Sequence, residues 1–263
     1  MDLTEKPLEA HNVLSDLHDA VDSVFLALEN NADWGLSGKR PDQYLSDIVA
    51  DAAIHESLKP LGYGILSEES EILTPENELF PTVVVDPLDG STNASRGLPW
   101  FATSLCAVDG EGPWVAVVAD LVSGRRYDAV RGWGARKDGE AIEIVSCPAL
   151  SDSLVAVSGL PQKDMGWEQF RNLGSAALAL CSIAEGQLDA FVDCMPDAHG
   201  VWDYLGGMLI CQEAGGVVYE AEGRELCILD RHERRTPIAA AGKNWEMNFF
   251  LNGKLLGSII RRH

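Results

Sequence analysis

Apolar residues recur along this chain with different spacings, and each spacing predicts a different kind of structure. In residues 8–30, leucine, valine and phenylalanine return every three or four positions among acidic residues, as they do on an amphipathic helix. A second helix is predicted to begin near Asp47, whose carboxylate could cap it, and to stop before a proline. Residues 64–67 are a short apolar run typical of a strand, and this run leads into Glu68 and Glu69.

Residues 83–93 combine a buried strand with a helix start. The three valines at 83–85 indicate a strand that is apolar on both faces, and Pro87 is expected to close it because proline cannot donate to a sheet. Asp86 and Asp89 are placed on this turn to hold a divalent cation, and the free N–H groups that follow are placed to hold an anion. A cation beside an anion indicates phosphate chemistry, although an acidic turn that only caps a helix would also fit this segment alone.

The rest of the chain changes from successive strands to alternating strands and helices near Cys147 and Pro148. This change predicts an α+β subdomain at residues 1–147 and an α/β subdomain at residues 148–263. The remaining predicted strands lie at 101–108, 113–121, 127–130, 142–145, 154–157, 190–192, 217–219 and 238–241, and the remaining predicted helices lie at 175–185, 203–214 and 245–256.

The composition is ordinary for a water-soluble protein. Hydrophobic residues make up 46% and charged residues 23% of the 263 positions, no apolar run is long enough to span a membrane, and the N-terminus shows no secretion signal. The six cysteines are scattered without a Cys-x-x-Cys pair, which favours buried thiols in a reducing compartment over disulfides or a zinc site. We therefore predict a cytoplasmic protein.

The net charge of −21 excludes the more obvious polyanionic partners. An acidic surface repels nucleic acids and anionic membranes, so neither is expected to bind this chain. The same surface repels a phosphorylated small molecule unless bound divalent cations reverse the sign of the local field. The acidic motifs therefore matter more for function than the total charge.

Four acidic motifs follow one another along the chain: Asp47 at a helix start, Glu68-Glu69 after a strand, Asp86-x-x-Asp89-Gly90-Ser91 at a strand-to-helix turn, and Trp202-Asp203 at another helix start. Mg²⁺ prefers oxygen ligands, and the sequence offers no cluster of cysteine or histidine that would select a softer metal. Two adjacent ions of this kind can hold both the attacking and the leaving oxygen of an in-line displacement. The residue types thus predict metal-dependent phosphate chemistry.

With these four motifs the chain resembles the inositol monophosphatase family of magnesium-dependent, lithium-sensitive phosphatases, from about residue 8 to residue 256. Shorter matches are Gly132-x-Gly-Ala, Arg171-x-x-Gly-Ser-Ala-Ala and Glu213-Ala-Gly-Gly. The superfamily also contains fructose-1,6-bisphosphatases, bisphosphate nucleotidases and histidinol-phosphate phosphatases. The resemblance implies an α/β fold, a layered α-β-α-β-α sandwich with an antiparallel-rich first half, and the homodimers that are common in the family.

The resemblance also implies roles for individual residues. The implied ligands of two or three Mg²⁺ ions per site, with Mn²⁺ as an alternative, are Glu68, Asp86, the carbonyl of Leu88, Asp89 and Asp203. Asp47 and Ser91 match a pair in which a hydroxyl oriented by a carboxylate positions and deprotonates water, although the family usually has threonine at the second place. Glu69 matches an acid that holds a further metal or its water. The implied substrate contacts are Leu88, Asp89, Gly90, Ser91, Thr92, Gly174, Ser175, Ala176, Asp193 and Asp203.

Two features stay open at this level. Asp51 lies one helical turn from Asp47, and either carboxylate could face the site. About three extra residues precede the fourth motif relative to the inositol enzymes, so the pocket wall near Asp193 is altered. Neither Asp197 nor His199 in this lengthened loop receives a role from the sequence.

We predict a metal-dependent phosphomonoesterase that hydrolyses a small phosphorylated polyol by direct attack of water, with inositol 1-phosphate as the first candidate substrate. Fructose 1,6-bisphosphate, 3′-phosphoadenosine 5′-phosphate and histidinol phosphate are alternatives on the same scaffold. The nucleotide ranks lower because no basic run is evident inside the predicted site. A catalytically silent regulatory or binding scaffold is the alternative from another class, and a missing ligand would favour it, but none is missing.

Overall fold

Two β-sheets alternate with pairs of helices in this chain. The structure is a computed structural model, and it describes residues 6–77 and 79–242. The helix predicted at residues 245–256 lies outside the described residues. The helices are α1 (Lys6–Glu29), α2 (Leu45–Leu58), α3 (Ser91–Arg96), α4 (Ala176–Ala184) and α5 (Val201–Glu213), with short 3-10 turns at Lys59–Leu61 and Leu150–Asp152.

The first sheet contains seven strands in their chain order. β1 and β2 are parallel, and every later pair of neighbours is antiparallel, which confirms the antiparallel-rich first half. The strands are β1 (Gly64–Ser67), β2 (Thr82–Asp89), β3 (Ala102–Asp109), β4 (Gly112–Asp120), β5 (Arg126–Val130), β6 (Ala135–Lys137) and β7 (Glu140–Ile142).

The second sheet contains five strands in the order β11, β12, β10, β8, β9. Its central strand β10 is parallel to β8 and antiparallel to β12. The sequence pattern did not indicate β9, because all three of its residues are exposed and carry no apolar alternation. The strands are β8 (Leu154–Ser158), β9 (Gln169–Arg171), β10 (Ala190–Asp193), β11 (Val217–Glu220) and β12 (Pro237–Ala240).

Both faces of the first sheet are covered. Val83 and Val85 of β2 belong to the core that contains α1 and α2, whereas Val84 belongs to the core that contains α4 and α5. A strand buried on both faces needs an unbroken apolar run, which explains the three consecutive valines. Because α4 and α5 also contact the second sheet, the described residues form helix, sheet, helix and sheet layers, and the predicted α/β fold class is confirmed.

The predicted division into two subdomains falls between the last strand of the first sheet and the first strand of the second. The core around α4 and α5 contains residues from both sides of this division. The division at residues 147 and 148 therefore stays a prediction.

Pro87 does not end its strand, and this prediction was wrong. Pairing of β2 with β1 stops at Val85, but β2 continues along β3 to Asp89, with a register shift between Asp86 and Asp89. Proline is tolerated in such an irregular stretch because no regular ladder hydrogen bond is required from its nitrogen. The irregularity lies in the predicted metal-binding turn.

Two of the shorter motifs meet in space although they are far apart in sequence. Glu213 at the end of α5 accepts the Gly132 N–H with one carboxylate oxygen (2.8 Å) and the Gly134 N–H with the other (2.9 Å). Both glycines have a positive φ, which lets a tight turn present two N–H groups to one carboxylate. This contact ties the first sheet to the middle helical layer.

None of the described helices combines the length and the apolar character needed to cross a membrane. The thiols of Cys106, Cys181 and Cys211 are buried, and burial raises the pKa of each of them. These cysteines behave as apolar core residues.

Helix α5 carries glycine where it crosses its neighbours. A Cβ at Gly206 would lie 2.6 Å from the Ser104 Oγ of β3. A Cβ at Gly207 would lie 2.8 Å from the Leu180 Cβ and 2.9 Å from the Ala177 carbonyl oxygen, both on α4. Since the first turn of α5 carries a predicted metal ligand, this close packing fixes the position of that ligand relative to the first sheet.

Gly207→Ala is expected to lower the free energy of unfolding by about 1–3 kcal/mol, because the new methyl group meets α4 backbone that cannot move aside freely. Urea unfolding followed by circular dichroism measures this change. Gly110→Ala is the matched control, because nothing lies within 4 Å of a Cβ at that turn, and it should change stability by less than about 0.5 kcal/mol. Wild-type stability in the Gly207 variant would contradict the need for close helix contact.

Candidate active site

Three acidic side chains converge where β1, β2 and α5 meet. One carboxylate oxygen from each of Glu68, Asp86 and Asp203 lies within 4.8 Å of the others. The parallel pairing of Ser67 with Val85 places Glu68 and Asp86 at the next position of two neighbouring strands. Asp203 joins them from the first turn of α5, and its Oδ2 accepts the Gly200 N–H (2.8 Å). Residues from three distant segments thus form one acidic cluster.

This cluster is electrostatically unfavourable without a cation. Burial, reinforced by the neighbouring carboxylates, raises the pKa of Glu68 and that of Asp86 well above the usual range. Burial also raises the pKa of Asp203, although the positive side chain of His199 counteracts it. A divalent cation would relieve this repulsion, and a set of carboxylate oxygens suits Mg²⁺ or Mn²⁺. The residues present therefore fit the metal that the sequence implies.

Asp89 joins the cluster to helix α4. Its Oδ2 accepts the Ser175 hydroxyl (2.7 Å) and the Ala177 N–H (2.8 Å). Burial, together with the charge of Asp203, raises the pKa of Asp89 to about 7. Ser175 also caps α4 by accepting the Leu178 N–H (3.2 Å), so its hydroxyl has a structural use in addition to its predicted contact with substrate.

The structure decides which acid of the second helix faces the cluster. Helix α2 begins at Leu45, two residues earlier than predicted, and Asp47 folds back so that its Oδ2 accepts the Tyr44 N–H (2.8 Å). Its buried Oδ1 has no hydrogen-bond partner among the described residues. Burial and the charge of Glu69 raise the pKa of Asp47 to about 7, and the Ser91 hydroxyl opposes this rise. The Ser91 hydroxyl is thus close enough to affect the Asp47 carboxyl, and the predicted pairing of the two around a water stays a prediction.

Asp51 has a different environment. Its Oδ1 accepts the hydroxyls of Ser67 (2.5 Å) and Ser70 (3.3 Å), and His55 lies 3.9 Å from the same oxygen. These contacts hold α2 against the end of β1. Asp51 is a structural residue beneath the site rather than a member of it.

Glu69 is held by residues of the loop before α2. Its side chain, only 7% exposed, forms a salt bridge with Arg40 and accepts the Gln43 amide. Arg40 also donates to the Glu68 carbonyl (3.3 Å). Sequence reasoning missed both partners, because the polar loop carries adjacent Lys39 and Arg40 and no pattern tells which of them turns inward.

The turn that follows Asp89 is packed tightly against the C-terminal half of the chain. Gly90 has φ of 91°, and a Cβ there would lie 2.9 Å from the Trp100 carbonyl oxygen and 3.0 Å from that of Gly174. The Asn93 amide donates to the Trp100 and Leu173 carbonyls, each at 2.8 Å. Only glycine suits this position, and the turn is therefore fixed beside the segment that begins α4.

Ser91 and Thr92 open the short helix α3. The Tyr44 hydroxyl donates to the Thr92 Oγ1 (3.3 Å), which links α3 to the start of α2. The N–H groups of a first helical turn have no intrahelical acceptor. Leu88 lies in the irregular stretch of β2, where its N–H donates to the Asp86 Oδ1 (3.1 Å). The predicted contacts of this segment with metal and phosphate stay predictions.

A cavity of about 260 Å³ opens beside Asp89 and Asp203. The predicted substrate residues Gly174, Ser175 and Ala176 line it. The other lining residues are Ala156, Val157, Ser158, Asn172, Leu173, Ala179, Phe191, Ala198 and His199. Asp193, predicted to contact substrate, lies behind this wall. Its side chain is fully buried, and its two oxygens accept the Met195 N–H (2.9 Å) and the His199 Nδ1 (2.8 Å). Each Asp193 oxygen therefore already has a partner, and His199 rather than Asp193 lines the cavity. The predicted contact of Asp193 with substrate stays a prediction.

Burial alone would lower the pKa of His199, but the hydrogen bond to Asp193 and the charges of Asp203, Asp193 and Asp89 raise it overall. Asp197, the other unassigned residue of this loop, pairs with Arg224 (2.5 Å). Its side chain does not line the cavity.

A second cavity, of about 410 Å³, borders Glu68 and is lined by Arg40, Glu68, Glu71, Trp202, Arg231, His232 and Arg234. The Arg234 guanidinium lies over the Trp202 ring, 5.0 Å from its centroid, and Arg231 donates to the Ser70 carbonyl (3.1 Å). The expectation that no basic run enters the site was wrong. Residues 231–235 are a visible basic run in the sequence, but their distance from the acidic motifs gave no sign that the fold returns them to Glu68.

Comparisons with known proteins agree on one family. The sequence profile of the inositol monophosphatase family matches residues 42–250. A protein of Archaeoglobus fulgidus named fructose-1,6-bisphosphatase/inositol-1-monophosphatase is 31% identical over 240 residues, which cover 89% of this chain and 92% of that protein. A protein of Xylella fastidiosa named Nus factor SuhB is 31% identical over 205 residues, which cover 71% of this chain and 72% of that protein.

Similarity to solved structures supports the same result. A protein from Pyrococcus horikoshii, described as having similarities to inositol-1 monophosphatase, superimposes with a TM-score of 0.74 at 25% identity. The match covers 99% of this chain and 98% of that one.

The raised carboxyl pKa values predict how stability depends on pH. Between about pH 4, the usual carboxyl pKa, and pH 7, the pKa of Asp47 and of Asp89, the folded metal-free chain binds more protons than the unfolded chain. Its stability therefore falls as the pH rises through this window. We expect Mg²⁺ or Mn²⁺ to raise the melting temperature more at pH 8 than at pH 6, since at low pH the ion must displace protons. Differential scanning fluorimetry at both pH values checks this.

Two variants control this measurement. Asp86→Asn removes buried charge, so it should raise the metal-free melting temperature by roughly 2–8 °C and abolish most of the metal effect. Asp19→Asn removes the same charge from the exposed surface of α1, and it should change neither the metal-free melting temperature nor its rise with metal. A metal-induced shift that is equal at both pH values, or that persists in Asp86→Asn, would rule out the metal cluster.

Proposed function

This chain belongs to the inositol monophosphatase family, and we propose that it hydrolyses a small phosphorylated polyol by attack of water, with inositol 1-phosphate as the first candidate substrate. The observation that carries the proposal is the convergence of Glu68, Asp86 and Asp203 into one partly buried acidic cluster beside a cavity of about 260 Å³. The cavity suits the alcohol part of a small ester, and the cluster suits the cation that such an ester requires.

Glu68, Asp86, Asp89, Asp203 and the Leu88 carbonyl are the proposed ligands of two or three Mg²⁺ ions, with Mn²⁺ as an alternative. Bound ions of this kind neutralise charge on phosphate oxygens and acidify a bound water. Lithium sensitivity is an expectation from the family.

Asp47 and Ser91 are the proposed residues that hold the attacking water. The Asp47 Oδ2 is fixed by the Tyr44 N–H, while its Oδ1 has no other partner among the described residues, so it is available to orient a hydroxyl. Its pKa of about 7 is suited to accepting a proton near neutral pH. The N–H groups of Gly90, Ser91 and Thr92 would bind the phosphate oxygens on which charge develops.

Glu69 is proposed to hold a further cation or its water. Its salt bridge with Arg40 competes with this role, because one carboxylate oxygen already carries a positive partner. A third ion at Glu69 would therefore have to bind the other carboxylate oxygen or displace Arg40.

A substrate with a second phosphate is the second candidate, and fructose 1,6-bisphosphate is the example. The arginine-lined cavity that Glu68 borders favours it, since guanidinium groups bind phosphate well. The name of the Archaeoglobus fulgidus relative includes this activity. 3′-Phosphoadenosine 5′-phosphate and histidinol phosphate remain alternatives with less support.

A regulatory protein without catalysis is the alternative from another class, and the name of the Xylella fastidiosa relative, a Nus factor, gives it some support. The retained acidic cluster favours an enzyme instead. We further propose a homodimer, as is common in the family. We also propose a cytoplasmic protein that binds neither nucleic acid nor membrane, as the net charge of −21 and the buried thiols suggest.

A phosphate-release assay over four esters tests the proposal. We expect Mg²⁺-dependent release that is fastest from inositol 1-phosphate, then fructose 1,6-bisphosphate, with little from the nucleotide or histidinol phosphate. Arg234→Gln should lower kcat/KM for fructose 1,6-bisphosphate by roughly tenfold and leave inositol 1-phosphate unchanged, because of these two esters only the first has a second phosphate to bind. The exposed Arg125→Gln is the matched control. No release from any ester with Mg²⁺ or Mn²⁺ would favour the regulatory alternative.

Ser91→Ala should lower kcat by roughly 10²- to 10³-fold, because the hydroxyl that orients water is lost, while the metal-induced rise in melting temperature is retained. Ser91→Thr keeps the hydroxyl and should retain activity within about threefold. Steady-state kinetics with inositol 1-phosphate measures both variants. Equal activity in the alanine and threonine variants would remove the Ser91 hydroxyl from the mechanism.

A further inference from the structure

The lengthened loop before α5 holds a buried carboxylate and imidazole pair. The His199 Nδ1 lies 2.8 Å from the Asp193 Oδ2, and the second Asp193 oxygen accepts the Met195 N–H. With a carboxylate as its partner, Nδ1 carries the proton and donates. Asp193 thus fixes both the rotation of the ring and the nitrogen that stays available.

His199 is also held through its backbone and its ring face. Its N–H donates to the Arg235 carbonyl (3.2 Å), and its carbonyl accepts the Arg235 N–H (2.8 Å). The ring stands edge-on to Phe191, with centroids 6.0 Å apart. A side chain fixed by its backbone, a neighbouring ring and a carboxylate loses little entropy when it binds a ligand.

His199 lines the cavity of about 260 Å³ beside Asp89 and Asp203. The imidazole is 12% exposed, and no described residue other than Asp193 hydrogen-bonds it. Two other polar side chains of this wall already have partners: the Ser175 hydroxyl donates to Asp89, and the Asn172 amide donates to the Gly159 carbonyl (3.1 Å). The His199 Nε2 is therefore a polar atom of this wall that stays available for a ligand.

We propose that His199 contacts a free hydroxyl on the alcohol part of the substrate, with Asp193 as its positioning residue; this inference rests on the proposed function. A hydroxyl both donates and accepts, so it satisfies Nε2 in either protonation state of the ring. Among the described residues, no lysine or arginine lines this cavity, whereas arginines line the cavity that Glu68 borders, so a second phosphate is not expected here. The substrate class is an alkyl phosphate that carries at least one further hydroxyl.

His199→Phe tests this contact, because phenylalanine keeps the ring and its contact with Phe191 but removes both nitrogens. The substrates are inositol 1-phosphate, cyclohexyl phosphate, which has the same ring size without hydroxyls, and p-nitrophenyl phosphate, which also lacks them. We expect kcat/KM to fall roughly 10- to 100-fold for inositol 1-phosphate and less than about threefold for the two esters without hydroxyls. Asp193→Asn, whose amide oxygen can still accept from Nδ1, should show a smaller loss with the same selectivity.

His11→Phe, on the exposed face of α1, is the matched control and should change none of the three rates. Equal losses of kcat/KM for all three esters, or no loss for inositol 1-phosphate, would overturn the contact. If His199→Phe does not fold, the same comparison of the three esters in Asp193→Asn tests the contact instead. Wild-type hydrolysis of p-nitrophenyl phosphate separates this failure from failure of the proposed function. If the wild type hydrolyses no ester, both fall; if it hydrolyses p-nitrophenyl phosphate but does not prefer inositol 1-phosphate to cyclohexyl phosphate, only the hydroxyl contact falls.

Discussion

Buried negative charge is the constraint on which the rest of this structure depends. Each of the four aspartates of the site accepts a hydrogen bond from a backbone N–H. The donors are Tyr44 for Asp47, Leu88 for Asp86, Ala177 for Asp89 and Gly200 for Asp203. Each such hydrogen bond partly offsets the cost of burying a carboxylate and fixes its rotation. The carboxylates therefore need not be reorganised when a cation binds.

The same acids also join the two halves of the chain. Asp89 ends a strand of the first sheet and holds the first turn of α4, while Asp203 begins α5, and both helices lie between the sheets. The glycines of α5 bring that helix close to β3 and α4. The distance between the acidic groups is thus set by the packing of the middle helical layer, and a change in that packing would alter the metal site.

Two cavities of different character flank the acidic cluster. Counting only the residues that the structure describes, one cavity is small and carries His199 but no lysine or arginine, and the other carries three arginines and the indole of Trp202. In a chain with a net charge of −21, these arginines provide local positive potential beside the site. This arrangement explains how an acidic protein can accept an anionic ester, and it separates groups that suit hydroxyls from groups that suit phosphate.

The sequence by itself determined most of the helices and strands and all four acidic motifs, but not strand β9 or the end of β2. The spacing of apolar residues predicts β2 and α1, because each kind of element repeats with its own local period. The four acidic motifs follow one another in the same order as in the family. Only the tertiary structure decided that Asp47 rather than Asp51 faces the cluster, because the Ser67 hydroxyl that binds Asp51 comes from β1. It alone also placed His199 in front of Asp193 and brought Arg231 and Arg234 beside Glu68. The physical reason is that side-chain direction and long-range proximity depend on which segments pack together, and the spacing of residues along a chain carries no record of that choice.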